Sequence, residues 1–534
     1  MGKGNRSREL KISENQVTAN PEGKLSKMQL IKQQEKKKKT RRYITIAASL
    51  IIVVAIIGGI FACSSFRTPK LEGVTAATCG DYELDNAMMA YFLYSQYHTY
   101  INQYSYYLPY LGLDTTKSLK SQIMPGSSIS WFVYFMNLAK TQVNELVALA
   151  QEAQEKGYTL DEGERQEIAD TMDGLKKSAK QYGYSSVNSY LAAVYVKGVT
   201  SKSVQKCLEL QTLAAKYYED LLETYEYTEE ELEKYVEDNK SAFYKFDYLY
   251  YDFDADFDSD ATDAEKAAAI GKAKADADKF LSDVETEEEF REKINQLEKE
   301  KADAKAETDT GSSSETGSSS SDAEKNYSDD FFEEGEYYKE DDPFTEWAYD
   351  EERASGDTTV IENTDSDEVV TGYTVYYLKK TAYLDDYLTK NVRHVLFLTS
   401  SYENKEAARA EAERVLEEFR NGEVSEDAFA ALAEKYSEDE GSHENGGLYE
   451  NVGKDEMVEE FNDWIYDEDR KVGDLDIVET SYGAHIMYFV GDGIEKWKAD
   501  AEDALKGEQY DKEIEELQKK FPVVYNDEKL VSIP

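Results

Sequence analysis

The apolar positions of residues 80–240 recur every three or four residues, the spacing of helices that bury one face. Three such stripes are Val143, Leu146, Val147 and Ala150, then Ile168, Met172, Leu175 and Ala179, then Cys207, Leu210, Ala214, Tyr217 and Leu221. The residues at 159–162 (TLDE) are typical of a capping box, with Thr159 at the helix start and Glu162 three residues later. The pattern therefore predicts an α-helical domain at 80–240.

Residues 388–493 alternate between strand-like and helix-like patterns, which favours an α+β fold. Strands are predicted at 395–398, 478–480 and 485–490, and helices at 407–420 and around 429–433. In the first of these helices the apolar side chains share one side, namely Ala408, Ala412, Val415, Leu416 and Phe419. The last segment, 494–534, is helical in pattern again, with Trp497, Ala501 and Leu505 on one stripe.

A hydrophobic segment near the N-terminus predicts a membrane anchor. Residues 44–62 contain no charged side chain, and at about 1.5 Å per residue they span roughly the hydrocarbon core of a bilayer. Six Lys or Arg residues directly precede them, and positive charge stays on the cytoplasmic side. Residues 43–63 are therefore expected to cross the cell membrane once, with 1–42 as a basic cytoplasmic tail and the body outside. The alternative is a lipoprotein signal, cleaved before a lipidated Cys63.

Charge excludes one class of partner. The formal net charge is −49, yet residues 1–42 hold thirteen Lys or Arg and four Glu, which leaves −58 on the rest of the chain. Nucleic-acid binding needs a basic surface, so the acidic body argues against it.

Three cysteines in 534 residues do not make a disulfide scaffold. Two interpretations of Cys79 and Cys207 stay open, a disulfide bond between them or two separate thiols. Cys207 fits the buried side of a helix.

The chain contains an internal repeat. Residues 344–362 (FTEWAYDEERASGDTTVIE) and 461–479 (FNDWIYDEDRKVGDLDIVE) are identical at nine of nineteen positions. The preceding helices and the closing strands also correspond, so residues 243–382 are predicted to be a diverged copy of the C-terminal module. Thr374 stands at the position of His485, and Glu340 at that of Met457. A tract rich in Ser, Gly, Glu and Asp is predicted to be a disordered insertion at 297–330.

Two of the four histidines in the chain lie near the two ends of residues 391–493. Between His394 and His485 are the sequences YSED at 436–439, NGGL at 445–448 and MVEEF at 457–461. This block resembles the parvulin family of peptidyl-prolyl isomerases, which implies a βα3βαβ2 domain at 388–493 and a diverged parvulin-like module at 243–382. The helical patterns at 176–191 and 228–239 resemble the N-terminal domain of SurA- and PrsA-type foldases.

The resemblance also implies roles for individual residues. Leu448, Met457 and Phe461 would line a pocket for the proline ring of the substrate. His394 and His485 would lie side by side on the floor of the sheet, with Thr480 bonded to one of them and Asp439 facing the imide carbonyl. Rotation about a peptide bond requires no nucleophile, metal or cofactor, so none is expected.

The residues themselves leave alternatives open. His394 and His485 also fit satisfied core histidines, and together with Asp439 they have the ligand types of a metal site. Met457 and Phe461, four residues apart, fit the core side of any helix. The segment also departs from the family pattern, because Tyr449 replaces a glycine and Asn451 an aromatic residue, and the loop before Met457 is one residue longer.

The expected protein is a membrane-anchored extracytoplasmic isomerase and chaperone. It combines one transmembrane helix, a helical chaperone domain, two parvulin-like modules and a C-terminal segment, 494–534, that packs back on the helical domain. Its expected partners are unfolded or Pro-containing secreted polypeptides and the membrane, and a homodimer is possible. The rival is a holdase chaperone that uses the parvulin fold only to bind Pro-containing segments.

Overall fold

The computed structural model describes residues 70–105, 107–258, 260–308, 326–365, 369–439 and 441–534. They fall into two compact units, the first with residues 70–226, 390–493 and 506–534, the second with 227–389 and 494–505. The predicted tail at 1–42, the anchor at 43–63 and Cys63 lie outside the described residues. Within the described ranges, no helix is both long and apolar enough to cross a membrane.

The N-terminal part of the first unit is a small hairpin followed by five helices. These elements are β1 (Thr75–Cys79), β2 (Tyr82–Asp85), α1 (Asn86–Gln103), α2 (Trp131–Glu155), α3 (Glu162–Gln181), α4 (Val187–Val194) and α5 (Ser201–Leu222). The helix α1 starts where the Asp85 carboxylate accepts hydrogen bonds from the N–H groups of Ala87 and Met88. The predicted stripe of α3, from Ile168 to Ala179, is buried at all four positions.

The capping box predicted at Thr159 and Glu162 is wrong. The helix α3 begins after Asp161, whose carboxylate accepts from the Glu164 N–H at 3.0 Å, while the Glu164 carboxylate accepts from the Asp161 N–H at 2.6 Å. Glu164 is completely buried and receives a hydrogen bond from Lys216 Nζ of α5 at 2.7 Å. Thr159 with Glu162 and Asp161 with Glu164 both have the spacing of a capping box, and the buried ion pair of Glu164 with Lys216 selects the second of these two helix starts.

The second unit contains a four-stranded sheet with two long helices packed on one face and a short helix, Pro343–Tyr349, packed on the other. Its elements are α6 (Glu229–Asp238), α7 (Lys240–Phe243), β3 (Lys245–Asp254), α8 (Asp263–Leu281), α9 (Glu287–Thr308), β4 (Phe332–Tyr337), α10 (Pro343–Tyr349), β5 (Thr358–Thr364) and β6 (Val370–Tyr383). The strand order is β4-β3-β6-β5. Leu249 and Tyr251 of β3 form a core with Phe280 of α8 and Phe290 of α9.

The boundaries predicted for the insertion at 297–330 are wrong at both ends. Residues 297–308 belong to α9, because Ile294 and Leu297 continue the apolar stripe that packs on the sheet. On the other side of residues 309–325, which lie outside the described ranges, a 3₁₀ turn spans Tyr327–Phe331. The side chain of Asn295 holds this turn by accepting the N–H groups of Tyr327 and Ser328 at 2.6 and 3.0 Å.

The C-terminal module repeats this order of elements. It consists of β7 (Leu388–Leu398), α11 (Lys405–Arg420), α12 (Glu426–Tyr436), a 3₁₀ turn (His443–Asn445), β8 (Leu448–Val452), α13 (Glu459–Ile465), β9 (Leu475–Glu479) and β10 (Gly483–Glu495). The sheet order β8-β7-β10-β9 is the order β4-β3-β6-β5 of the second unit with each strand replaced by its counterpart.

The chain ends with α14 (Lys496–Lys520), β11 (Val524–Tyr525) and α15 (Asp527–Leu530). The strand β11 pairs antiparallel with β1, and Asn86 Nδ2 donates to the Lys529 carbonyl at 2.8 Å. Lys520 Nζ also donates to a Glu152 carboxylate oxygen of α2 at 2.6 Å. Residues 506–534 thus lie against the helical part of the first unit. In that part Cys79 and Cys207 are buried and are not joined by a disulfide bond.

Candidate active site

The site lies on one face of the sheet β8-β7-β10-β9. Side chains alternate between the two faces of a strand. Val395 and Phe397 of β7 enter the core beneath α11 and α12, so His394 points to the opposite face. On β10, Ile486 belongs to the same core, whereas His485 faces the side that carries His394.

Two histidines and an aspartate form a continuous chain of hydrogen bonds. The Nδ1 atoms of His394 and His485 are 3.0 Å apart, and the two rings are nearly parallel, with centroids separated by 5.3 Å. His394 Nε2 is 2.9 Å from Asp439 Oδ2 and 2.9 Å from Ser442 Oγ. At the other end, Thr480 Oγ1 is 2.9 Å from His485 Nε2. The structure therefore brings together all four residues assigned to catalysis from the sequence.

Three side-chain donors keep the Asp439 carboxyl group ionised. Its partial burial opposes the charge, but hydrogen bonds from His394, Ser442 and Tyr449 outweigh that effect and hold the pKa of Asp439 well below its usual range. An ionised carboxylate only accepts hydrogen bonds, so His394 Nε2 must carry the proton in this contact. The negative charge of Asp439 is thus fixed at the edge of the histidine pair.

His485 is neutral at physiological pH. Burial, together with the neighbouring His394 ring, lowers the pKa of His485 to about 3. The Thr480 hydroxyl oxygen accepts the N–H of Tyr482 at 3.1 Å, and this contact fixes its place beside the His485 ring. His485 therefore contributes a polar but uncharged ring to the interior of the site.

An aromatic and apolar wall covers the histidines. The Phe461 ring stands nearly perpendicular to both imidazoles, with centroid distances of 5.6 Å to His394 and 5.7 Å to His485. Phe461 is buried in a cluster with Val392, Met487 and Phe489, and the half-buried Met457 packs against that cluster. Two of the three residues predicted to bind substrate, Met457 and Phe461, thus lie together beside the polar group.

Leu448, the third residue predicted for the pocket, does not join this group. The ladder between β7 and β8 pairs Leu448 with Arg393 and Tyr449 with Val392. Paired residues share a face, so Leu448 lies on the helix side with Arg393, and Tyr449 lies on the site side. The Tyr449 hydroxyl donates to Asp439 Oδ2 at 3.0 Å, and its ring centroid is 5.3 Å from that of His394.

Sequence reasoning therefore missed Tyr449 and Ser442 as members of the site. The Ser442 hydroxyl donates to the Asp439 carboxylate through a short hydrogen bond. Burial and the nearby Asp439 charge raise the pKa of Tyr449 to about 12, so its phenol remains a donor at neutral pH. A signal was available in the departure of Tyr449 from the family pattern, but only the strand register assigns that residue to a face.

A glycine allows the Asp439 loop to approach β7. Gly447 has φ +71°, a left-handed conformation that costs other residues energy, and a Cβ there would lie 2.1 Å from the His394 carbonyl oxygen. Its own carbonyl accepts the His394 N–H at 2.8 Å. Asn451, which stands where the family has an aromatic residue, also has a positive φ of 52°, and Asn tolerates this conformation.

The site does not have the form of a metal centre. Within the ranges that the structure describes, no group of three or more His, Cys, Asp or Glu side chains is placed to hold a metal ion. Both Nδ1 atoms of the histidines face each other, and His394 Nε2 is occupied by Asp439 and Ser442. The nitrogens of the pair therefore bind protein groups.

Known proteins resemble this part of the chain. Residues 376–491 match the model of the PPIC-type PPIASE domain. The chain is 32% identical over 131 residues to Chaperone SurA of Pseudomonas syringae pv. tomato, an alignment that covers 23% of this chain and 29% of that protein. It is 43% identical over 77 residues to Foldase protein PrsA 4 of Bacillus cereus, which covers 14% of this chain and 25% of the relative.

The likeness to solved structures is partial. A crystal structure of peptidylprolyl isomerase (PrsA) from Bacillus cereus has 27% identity to this chain and covers 27% of it and 55% of the crystallised chain, with a TM-score of 0.17. That score is too low to support an argument about the fold. The chain also spans less than a third of the length of the curated relatives named above. The domain match and the residues of the site nevertheless agree, and the chain contains a parvulin-type peptidyl-prolyl isomerase domain of the kind found in PrsA- and SurA-like foldases.

Proposed function

We propose that this protein is a membrane-anchored extracytoplasmic peptidyl-prolyl cis/trans isomerase and chaperone that assists the folding of secreted proteins. The observation that carries the proposal is the hydrogen-bonded chain Asp439–His394–His485 beneath the Phe461 ring. The names of the relatives, chaperone and foldase, support a polypeptide as the partner.

The site offers a place for the proline ring. A prolyl bond rotates through a twisted state that lies about 18–20 kcal/mol above the planar one. Met457 and Phe461 supply an apolar surface that grips the five-membered ring of proline. Fixing the ring while the preceding residue turns lets the binding energy favour the twisted state over the planar states.

The charge at Asp439 lowers the barrier electrostatically. In the planar bond the carbonyl oxygen carries partial negative charge, because the nitrogen lone pair is delocalised onto it. An ionised carboxylate facing that oxygen disfavours the delocalised form and so weakens the double-bond character of the C–N bond. His394, Ser442 and Tyr449 keep Asp439 ionised and in place, and His485 contacts His394 through the two Nδ1 atoms. Both histidines are therefore positioning residues.

The location at the membrane rests on the sequence alone. The uncharged segment 44–62 and the basic residues before it support an anchor with the folded units outside the cell membrane. Protease added to intact cells should cleave residues 70–534 and leave a protected fragment of the basic tail and anchor. Complete protection of the folded units in intact cells, with cleavage after lysis, would contradict this location. Metabolic labelling with a fatty acid separates a lipidated Cys63 from an uncleaved helix.

A holdase without isomerase activity is the second candidate. The observation that favours it is the second unit, in which Thr374 stands at the position of His485 and Glu340 at that of Met457. Refolding of an unfolded protein whose slow step is a prolyl isomerisation distinguishes the two. An isomerase accelerates that step at substoichiometric concentration, and His394→Ala lowers the effect. A holdase needs stoichiometric amounts, suppresses aggregation and leaves the rate constant unchanged.

A further inference from the structure

The second unit presents an aromatic face where the C-terminal module has its site. On β3, Leu249 and Tyr251 enter the core beneath α8 and α9, so Phe246 and Tyr248 point to the other side. The ladders to the edge strands correspond, since β3 pairs Tyr248 with Glu333 and β7 pairs Val392 with Tyr449. Tyr248 thus takes the position of Val392, and Tyr250, two residues further on the same face, takes the position that His394 has on β7. A tyrosine therefore stands where the C-terminal module has a hydrogen-bonding imidazole.

Four rings form the floor of this face. The Tyr248 ring lies 4.5 Å from that of Phe344 and 5.7 Å from that of Tyr376, and Phe344 and Tyr376 are stacked with centroids 4.0 Å apart. Tyr250 extends the row, 6.3 Å from Tyr248. Phe344 is buried, whereas Tyr248, Tyr250 and Tyr376 are only partly buried, so the face keeps some contact with solvent.

Carboxylates surround these rings. The ladder between β3 and β4 pairs Glu333 with Tyr248 and Glu336 with Phe246, which puts both glutamates on the aromatic side. Asp342, whose side chain caps the start of α10, lies directly before the helix that carries Phe344. The pKa of Tyr248 is raised, first by burial and then by Tyr376, Glu336, Glu333 and Asp342. The last three are carboxylates, so their negative charges lie near the phenol of Tyr248.

One cation already lies at the rim. Lys339 Nζ is 3.3 Å from a Glu336 carboxylate oxygen, and both side chains are largely exposed. A surface ion pair of this kind contributes little and exchanges readily. Glu333 and Asp342 add negative charge that no lysine or arginine among the described residues neutralises, and Glu340 replaces the apolar methionine of the other module. The face as a whole therefore carries excess negative charge next to partly buried aromatic rings.

We infer that this aromatic face binds a lysine or arginine side chain of an extended polypeptide. A cation over tyrosine or phenylalanine rings is attracted by their negative faces, and nearby carboxylates strengthen the attraction. A proline ring, in contrast, gains nothing from the carboxylates. Charge complementarity thus commits the face to a basic partner, and the binding does not depend on isomerase activity in the C-terminal module.

Fluorescence anisotropy with the full chain in neutral detergent micelles tests the inference. The probes are a fluorescein-labelled extended peptide that contains lysines and the same peptide with norleucine at each lysine. The lysine peptide is expected to bind at least about fivefold more tightly. Equal binding of the two peptides would overturn the inference.

Two sets of variants localise the binding. Glu333→Gln/Glu336→Gln should weaken binding of the lysine peptide, whereas the control Glu288→Gln/Glu292→Gln removes the same charge from exposed positions of α9 and should not. Equal weakening by both pairs would mean that only the overall charge acts, and would refute the site. Tyr248→Phe keeps the ring and should bind like the parent, while Tyr248→Leu should lose binding. Retained binding in a folded Tyr248→Leu variant would refute the aromatic contribution.

Discussion

Replacing Tyr449 by phenylalanine tests whether the Asp439 charge is part of catalysis. The substitution keeps the ring that lies 5.3 Å from His394 and removes only the hydroxyl that donates to Asp439 Oδ2 at 3.0 Å. A hydrogen bond to a charged group contributes about 1.5–3 kcal/mol. The side chains of His394 and Ser442 and the Gly441 N–H still donate to this carboxylate, so the expected loss is about 1–2 kcal/mol, which corresponds to about a 5- to 30-fold lower kcat/KM.

The pH dependence gives an independent readout. Loss of a donor raises the pKa of Asp439, so the acid limb of the kcat/KM profile should move to higher pH. A carboxyl group with a depressed pKa in the folded state stabilises the fold above the pKa of an unfolded aspartate, about 3.9, and this stability is lost as pH falls through the folded pKa. The variant should therefore be less stable than the parent at pH 7, and the difference should shrink in strong acid.

The assay is cis/trans exchange of a Pro-containing peptide, followed by NMR with the full chain in detergent. Tyr482→Phe is the matched control, because Tyr482 lies in the same module and its side chain is exposed. It should leave both the rate and the profile unchanged. If Tyr449→Phe has the kcat/KM of the parent and the same acid limb, the assignment of Asp439 as the charge that lowers the barrier is wrong.

Three further predictions concern stability. Because the pKa of His485 is about 3, the protein takes up a proton at this residue when it unfolds at pH 5. The free energy of unfolding should therefore fall as the pH drops below about 6.5, and it should fall less in His485→Gln. Equal shifts of the denaturant midpoint in the two proteins would contradict this. Gly447→Ala should lower the free energy of unfolding by at least about 3 kcal/mol, through backbone strain and a clash with His394. The control Gly507→Ala, in open space on α14, should be neutral or stabilising. Similar melting temperatures of the two variants would contradict this. Deleting residues 506–534 removes β11 and the buried Leu530 and Ile533, so hydrogen exchange should accelerate more in residues 75–222 than in 390–493; equal acceleration would contradict this.

Periodicity predicted the helices well because burial of a helix face depends on local spacing. The helix expected at 407–420 spans Lys405–Arg420, and its five expected apolar positions are its five buried residues. The two histidines were recognisable because each lies in a strand-like apolar run, whereas Asp439 lies in an acidic run and was assigned from the family resemblance alone. The family resemblance then supplied their proximity, which no spacing along the chain could reveal.

The features that the sequence did not reveal depend on register and tertiary contacts. A shift of one residue exchanges the faces of Leu448 and Tyr449, and both fit a strand. The start of α3 depends on the buried pair of Glu164 and Lys216, which lie on different helices. The extent of α9 beyond residue 297 was hidden because charged residues dominate its composition, although Ile294 and Leu297 still pack on the sheet.

The most direct test of the central claim is the cis/trans exchange rate of a Pro-containing peptide with the full chain, with Met457→Ala and with Val424→Ala. Met457 packs half-buried against the Phe461 cluster, whereas Val424 is an exposed residue between α11 and α12. The account predicts that the parent and Val424→Ala accelerate exchange and that Met457→Ala loses at least about tenfold in kcat/KM. Absence of acceleration by the folded parent, or full activity of Met457→Ala, would contradict it.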